Sequence, residues 1–189
     1  MEIPSNIFCS SGLHLPNGSY TAFGGNSAVG RGGNAASDGN WDSEYRVFDG
    51  RKAIRIVHPC KSTDNFDDPK CQWFDDPTTL SMKAMRWYST AEAMADGTIV
   101  LIGGFTSGGY INRDYPNVNP NGGGSQNTFE FFPPRPEEPP NLPFLTKTSG
   151  LNAYVHTFLM PSGNMFLQAN YSTGTSIPLF RDPRLLTPV

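Results

Sequence analysis

The chain has 189 residues, among them 20 glycines and 17 prolines, with 12% aromatic residues and a formal net charge of −3. The aromatic content argues against disorder, the lack of a basic stripe argues against a nucleic-acid partner, and no apolar run is long enough to cross a membrane. Residues 1–5 lack a basic region followed by an apolar one, so no signal peptide is visible. Many aromatic and turn-forming residues together predict short strands joined by tight turns.

Three segments of the sequence share one pattern and predict three β-hairpins. The segments are residues 13–25, 92–104 and 157–169. Each contains an apolar run, a turn that ends in glycine (Gly18, Gly97 or Gly163), and a second apolar run. Glycine supplies the positive φ value that tight hairpin turns require, and β-branched or aromatic residues beside it are typical of buried strands. The repeat therefore predicts the inner strands of β-propeller blades.

The segments between the hairpins predict further strands and long loops. Residues 45–48 and 53–57 are predicted to pair with each other as outer strands, and residues 128–132 to form a strand that ends at Pro133. Stretches rich in glycine, asparagine or proline predict exposed loops at residues 24–39, 115–126 and 133–143. No amphipathic helix is predicted. Because a closed propeller needs about four to eight blades, we expect an all-β, partial β-propeller with long loops.

The sequence contains three cysteines, which leaves one without a partner. Cys60 and Cys71 flank a short polar stretch and are predicted to form a disulfide if the compartment is oxidising. Cys9 is then left over. The sequons that begin at Asn17 and Asn170 are compatible with secretion.

When the three repeats are aligned on their turn glycines, three reactive side chains occupy equivalent positions. Cys9, Tyr88 and Tyr154 each lie nine residues before the turn glycine of their hairpin. Equivalent positions of neighbouring blades form a ring at one mouth of a propeller channel. We therefore expect Cys9 and Tyr88 to lie close together, although they are far apart in sequence.

Six short motifs resemble those of the glyoxal oxidases, which are copper radical oxidases related to galactose oxidase. The motifs are FCSSG at residues 8–12, FGGN at 23–26, MRWYST at 85–90, IGGF at 102–105, GYIN at 109–112 and QANYS at 168–172. They follow the order of the family, and the resemblance extends from residue 7 to residue 173. It implies the N-terminal part of a kelch-like, seven-bladed propeller.

The resemblance also implies a cofactor and a reaction. In the family the cysteine of the first motif and the tyrosine of the third are joined by a thioether, and the tyrosine ligates copper and carries a radical. These residues correspond to Cys9 and Tyr88. Copper and this radical cofactor would together oxidise small aldehydes, such as glyoxal, or primary alcohols, and O2 would be reduced to hydrogen peroxide. The resemblance implies an extracellular protein.

The sequence departs from the family in ways that affect this expectation. The family's other copper ligands include a tyrosine followed directly by a histidine, and this chain has no Tyr-His dipeptide. Residues 174–189 leave the family pattern and are predicted to be a divergent tail. We expect an incomplete copper site and no activity from this chain by itself, and whether it is an enzyme stays open. The alternatives are a non-catalytic interaction module and a pseudogene fragment.

The remaining candidate residues are interpreted as structural. Trp87 is expected to pack rather than to contact substrate, and Phe105 to lie near the radical site. Tyr154 and His156 are expected to share one face of a strand without binding copper. The other histidines are expected to be structural, and the acidic residues between 64 and 76 to form a solvated loop: His14, His58, Asp64, Asp67, Asp68, Asp75 and Asp76.

Overall fold

The computed structural model describes residues 2–33, 40–106, 124–148, 152–169 and 173–178. The strands of these residues, in chain order, are β1 (Ser11–His14), β2 (Tyr20–Phe23), β3 (Trp41–Asp42), β4 (Val47–Phe48), β5 (Ile54–Val57), β6 (Thr90–Ala93), β7 (Ile99–Ile102), β8 (Phe129–Phe132), β9 (His156–Leu159), β10 (Met165–Gln168) and β11 (Gly174–Ile177). One α-helix, α1 (Pro143–Lys147), and two short 3₁₀ turns, Arg31–Gly33 and Pro69–Cys71, complete them. No helix in these parts of the chain is long and apolar enough to cross a bilayer.

The strands form three antiparallel sheets that follow one another along the chain. The first sheet has the order β1-β2-β5, the second β6-β7-β8 and the third β9-β10-β11, and β3 pairs with β4 as a separate ribbon. In each sheet the strand that comes first in sequence lies at one edge. These first strands adjoin one another, because β1 packs beside β6 and β6 packs beside β9. Successive meander sheets with adjoining first strands form a partial β-propeller, which confirms the predicted fold class.

The three predicted hairpins are present, and each turns at the predicted glycine. Gly18, Gly97 and Gly163 have φ values of 84°, 85° and 80°. Each turn is closed by a backbone hydrogen bond from the glycine N–H to the carbonyl three residues earlier, as in the 2.9 Å bond from Gly18 to Leu15. The local sequence signal is sufficient here because the turn conformation needs a positive φ.

The predicted pairing of residues 45–48 with residues 53–57 is wrong. β4 pairs with β3, and β5 pairs with β2 through a register that sets Phe23 opposite Ile54. Between β4 and β5, Gly50 does not form a hairpin turn. A Cβ atom at Gly50 would lie 1.9 Å from the Asn6 carbonyl oxygen, so this glycine allows a close backbone approach.

Two further elements lie where the sequence pattern predicts none. Helix α1 has five residues, which is too short to produce a helical periodicity. β11 lies at the start of the segment predicted to be a divergent tail, and it pairs with β10 so that Met165 faces Ile177. Residues 179–189 of that segment lie outside the described residues.

The core consists of two apolar layers, one on each side of the second sheet. β7 is buried along its whole length, and its side chains alternate between the two layers. Ile99 and Leu101 face the first sheet, whereas Val100 and Ile102 face the third. On the first-sheet side these side chains pack with Phe23, Ile54, Met82 and Phe132. On the third-sheet side they pack with Met94, Phe129, Phe131, Leu142, Leu145, Val155, Met165 and Leu167. The layers fix the spacing of the three sheets and hence of their first strands.

Candidate cofactor site

Cys9, Tyr88 and Tyr154 occupy the same position in the three sheets. Each lies two residues before the first strand of its sheet, and each has a positive φ, of 60°, 60° and 48° respectively. The Tyr88 N–H donates to the Cys9 carbonyl oxygen at 3.0 Å, and the Tyr154 N–H donates to the Tyr88 carbonyl oxygen at 2.8 Å. The structure therefore brings Cys9 and Tyr88 together, as the repeat alignment predicts, and Tyr154, the third residue of that alignment, lies next to Tyr88.

The three side chains also interact with one another. The pKa of the Tyr88 hydroxyl is raised by a hydrogen-bonding interaction with the Cys9 thiol, then by burial and by repulsion from the ionised thiol. The pKa of Tyr154 is raised further, first by burial, then by repulsion from Cys9, by hydrogen bonding with Cys9 and by the charge of Tyr88. Both phenols are therefore protonated at neutral pH, and a single thiol interacts with both.

Three aromatic rings surround the ring of Tyr88. Trp87 is tilted by 47° with its centroid 4.6 Å away, while Tyr154 and Phe105 make edge contacts at 5.2 Å and 6.4 Å. Phe105 is fully buried, and it lies near Tyr88 as expected. Trp87 packs as expected, but its indole Nε1–H is also buried without a hydrogen-bond partner among the described residues. The half-buried Tyr88 thus contacts three aromatic side chains, with the unsatisfied Trp87 donor in the adjacent residue.

The buried Arg86 fixes the chain just before Tyr88. Its Nε donates to the Glu130 carboxylate at 2.8 Å, and its side chain is fully shielded from solvent. Its Nη1 donates to the carbonyl oxygens of Gly103 and Thr128, both at 2.9 Å. Burial lowers the pKa of the Arg86 guanidinium, and the Glu130 carboxylate opposes this shift. Arg86 stays charged, because arginine keeps its proton in proteins. Arg86 therefore anchors Tyr88 to the second sheet.

A second buried arginine, Arg55, fixes the chain before Cys9. It donates to the Ser5 hydroxyl at 2.8 Å and to the carbonyl oxygens of Gly24 and Asn6 at 2.6 Å and 3.2 Å. Its charge partner is Asp75, at 3.7 Å. Burial lowers the pKa of Arg55 to about 10, and Asp75 opposes this shift. The expectation that Asp75 belongs to a solvated loop is wrong, because its side chain is only 2% exposed.

The glycine pairs after β2 and β7 let adjacent sheets approach each other closely. The Gly25 N–H donates to the Arg86 carbonyl oxygen at 3.1 Å, and the Gly104 N–H donates to the Asn152 carbonyl oxygen at 3.0 Å. A Cβ at Gly104 would lie 2.7 Å from the Trp87 carbonyl oxygen. These positions need glycine because the neighbouring chain that carries Trp87 and Tyr88 fills the space of a side chain.

The other predicted site residues lie elsewhere. Cys60 and Cys71 form a disulfide, and together with Asp64 they are the only group of three or more potential His, Cys, Asp or Glu metal ligands within the described ranges. His14 contacts Tyr20, with ring centroids 5.2 Å apart. His58 hydrogen-bonds to Ser19 at 2.7 Å.

Tyr154 and His156 do not form the pair that strand alternation predicts. His156 begins β9, whereas Tyr154 precedes the strand and has a left-handed backbone conformation. The sequon asparagine Asn17 is exposed at a hairpin turn, and Asn170 lies outside the described residues.

Sequence reasoning set Cys9, Tyr88 and Tyr154 at equivalent positions but missed the two buried arginines. Hydropathy predicts arginine to be exposed, and the partner carboxylates of Arg55 and Arg86 are distant in sequence. Arg86 lies inside the motif at residues 85–90, and this position beside Tyr88 was the available signal.

Comparisons with known proteins show the family and the relatives of this chain. The family profile described as "Glyoxal oxidase N-terminus" matches residues 29–176. The curated "Aldehyde oxidase GLOX" of Vitis pseudoreticulata is 27% identical over 173 residues, which cover 90% of this chain and 24% of that protein. The "Putative aldehyde oxidase Art an 7" of Artemisia annua is 29% identical over 185 residues, covering 90% of this chain and 23% of that protein. This chain thus spans about a quarter of the length of these relatives.

A solved structure shows the same fold. It is described as a novel fungal alcohol oxidase with catalytic diversity among the AA5 family, in complex with copper. The match has a TM-score of 0.54 and 16% sequence identity, and it covers 96% of this chain and 34% of that one. At this identity the match supports the fold of the chain.

Proposed function

Because this chain belongs to the glyoxal oxidase family, whose N-terminal profile covers most of it, we propose that it carries the cofactor-forming part of a copper radical oxidase site. One observation supports this most strongly. Cys9 and Tyr88 lie at equivalent positions of adjacent sheets, joined by a 3.0 Å backbone hydrogen bond, and their side chains interact. A propeller that only binds a partner has no need of a thiol against a phenol at this point.

The chemistry proposed for the pair is formation of a thioether. The sulfur of Cys9 bonds to the ring carbon of Tyr88 beside the hydroxyl, and the S–H and C–H hydrogens are lost. The two electrons and two protons that are released reduce one O2 to hydrogen peroxide, so the step balances. The thioether extends the π-system of Tyr88 onto sulfur, which makes this side chain easier to oxidise by one electron.

The residues around this pair fit a copper site in part. Phenolate oxygen and imidazole nitrogen suit Cu(II) in a tetragonal site, and Tyr88 supplies the phenol. Within the described ranges the one group of three potential His, Cys, Asp or Glu ligands contains no histidine, so we expect the imidazoles from other segments of the protein. When bound, copper supplies a one-electron redox couple beside Tyr88. The unsatisfied Nε1–H of Trp87 offers a donor to a group that completes the site.

The rings around Tyr88 protect it. Trp87 and Phe105 cover it from its own sheet and Tyr154 from the next, which limits the access of water and of reductants to the oxidised side chain. The proposed substrates are small aldehydes or primary alcohols, with O2 as the electron acceptor. The Cys60–Cys71 disulfide supports an extracellular location, because such bonds persist in oxidising compartments.

Mass spectrometry of the full-length protein tests this proposal. Copper-free protein is mixed with Cu(II) in air, and its intact mass and tryptic peptides are followed with time. We expect the mass of two hydrogen atoms to be lost and the peptide of residues 1–31 to be linked to that of residues 87–113. The variants C9S and Y88F should show neither change. Bound copper and peroxide release with small aldehydes are measured in parallel.

The matched control is Y20F, which removes a phenol on β2 that is distant from Cys9 in the sheet register. It should cross-link as the unmodified protein does. If the unmodified protein binds copper in air and shows no mass loss, the proposal is wrong and a non-catalytic propeller becomes the better interpretation.

A further inference from the structure

The third member of the ring of equivalent positions has no role in the proposed reaction. Tyr154 comes from the third sheet, yet its N–H donates to the Tyr88 carbonyl oxygen at 2.8 Å. The chain around it is held on both sides. The Asn152 carbonyl oxygen accepts from the Gly104 N–H at 3.0 Å, and the Val155 carbonyl oxygen accepts from the Thr90 hydroxyl at 2.7 Å. The position of Tyr154 relative to Tyr88 is therefore set by the backbone.

The side chain of Tyr154 contacts the ring of Tyr88. The two rings meet edge-on, with an interplanar angle of 76° and centroids 5.2 Å apart. Tyr154 is 43% exposed, so it is not simply a core residue. A large aromatic side chain that is partly exposed and has a positive φ is unfavourable for folding, and this favours a functional reason for its presence.

We propose that Tyr154 is a positioning residue for the thioether: its ring limits rotation of the Tyr88 ring and so keeps one ring carbon of Tyr88 beside the Cys9 sulfur. This inference rests on the proposed function. Formation of the C–S bond needs the sulfur to stay close to one ring carbon, and a well-oriented pair reacts faster than a mobile one. Tyr154 itself forms no bond and loses no hydrogen in the step.

The test compares two substitutions at this position during the reaction described above, in the full-length protein with Cu(II) and air. Y154F keeps the aromatic ring, whereas Y154L removes it. An aromatic edge contact contributes an effect of up to about ten-fold. We expect the thioether to form at close to the unmodified rate in Y154F and up to about ten-fold more slowly in Y154L, with the linked peptide still that of residues 87–113.

The control is F158L, which removes an exposed aromatic side chain from the same sheet. It should cross-link at the rate of the unmodified protein. The urea midpoint of each variant is also measured, since a merely structural role would slow cross-linking only in proportion to lost stability. Recovery of the cross-linking rate in Y154F, which restores the ring, is the readout that such a role would not produce.

Two groups of results overturn the inference. The inference is wrong if Y154L cross-links at the unmodified rate, or if Y154F or F158L is slowed as much as Y154L. A link from Cys9 to the peptide of residues 148–181 would show that Tyr154 is the reaction partner rather than a positioning residue. The proposed function fails separately, because its failure is seen in the unmodified protein, which would then form no thioether at all.

Discussion

The buried ion pair between Arg86 and Glu130 gives a strong prediction about the stability of the site. The variant R86M keeps most of the side-chain volume but leaves the Glu130 carboxylate, whose side chain is 9% exposed, without its cation. It also removes the donor to the carbonyl oxygens of Gly103 and Thr128. Removal of one partner of a buried ion pair costs about 3–5 kcal/mol of unfolding free energy.

Urea unfolding followed by circular dichroism and tryptophan fluorescence measures this loss. With a urea m-value of about 2 kcal/mol/M, the midpoint of R86M should fall by about 1.5–2.5 M. The variant R31M is the control, because Arg31 and Glu44 are 3.9 Å apart and their side chains are 85% and 54% exposed. Loss of that surface pair should change stability by no more than about 0.5 kcal/mol.

A double variant distinguishes the ion pair from simple loss of packing. In R86M/E130L the uncompensated carboxylate is absent, so the double variant should be less destabilised than the sum of R86M and E130L. The reasoning is refuted if R86M is as stable as R31M. It is also refuted if the two single effects add, since the carboxylate and the guanidinium would then not be coupled.

Two further predictions concern glycine packing and pH. G104A should lose about 1–3 kcal/mol more of its unfolding free energy than G33A in the same urea assay. Both glycines have a positive φ, but only at Gly104 would a Cβ meet the Trp87 carbonyl oxygen. Equal losses in the two variants would contradict a close backbone approach at Gly104. Burial raises the pKa of Glu92, and the Leu159 N–H opposes this. A carboxyl whose pKa is raised in the folded state opposes folding once it ionises. E92Q should therefore be more stable than the unmodified protein at pH 7 and lose this advantage below about pH 4, near the pKa of the unfolded state. A difference in stability between the two proteins that grows in acid would contradict this direction.

The hairpins and the Cys9–Tyr88 neighbourhood could be predicted from the sequence because both depend on local signals that repeat. A turn glycine fixes the backbone of its own hairpin, and equal distances from Gly18 and Gly97 then fix the relation between Cys9 and Tyr88.

The parts that could not be predicted depend on contacts distant in sequence. Gly50 lies between two segments that were predicted to pair, residues 45–48 and 53–57. Its structural role is instead set by the Asn6 carbonyl oxygen, which comes close to it. Arg55 and Arg86 look like surface residues until Asp75 and Glu130 are placed beside them. In each case a single-sequence pattern predicts the wrong environment, because the partner is supplied by the tertiary fold.

The left-handed backbone at Cys9, Tyr88 and Tyr154 has a consequence for how this protein can change. Each of these side chains is retained at a φ that glycine would adopt with less strain, at a difference of about 1 kcal/mol. A change to glycine at one of these positions removes the chemistry and relieves this strain, which offsets part of the packing that is lost. A lineage that lost the reaction would keep a well-folded propeller, and stability alone would not eliminate such sequences.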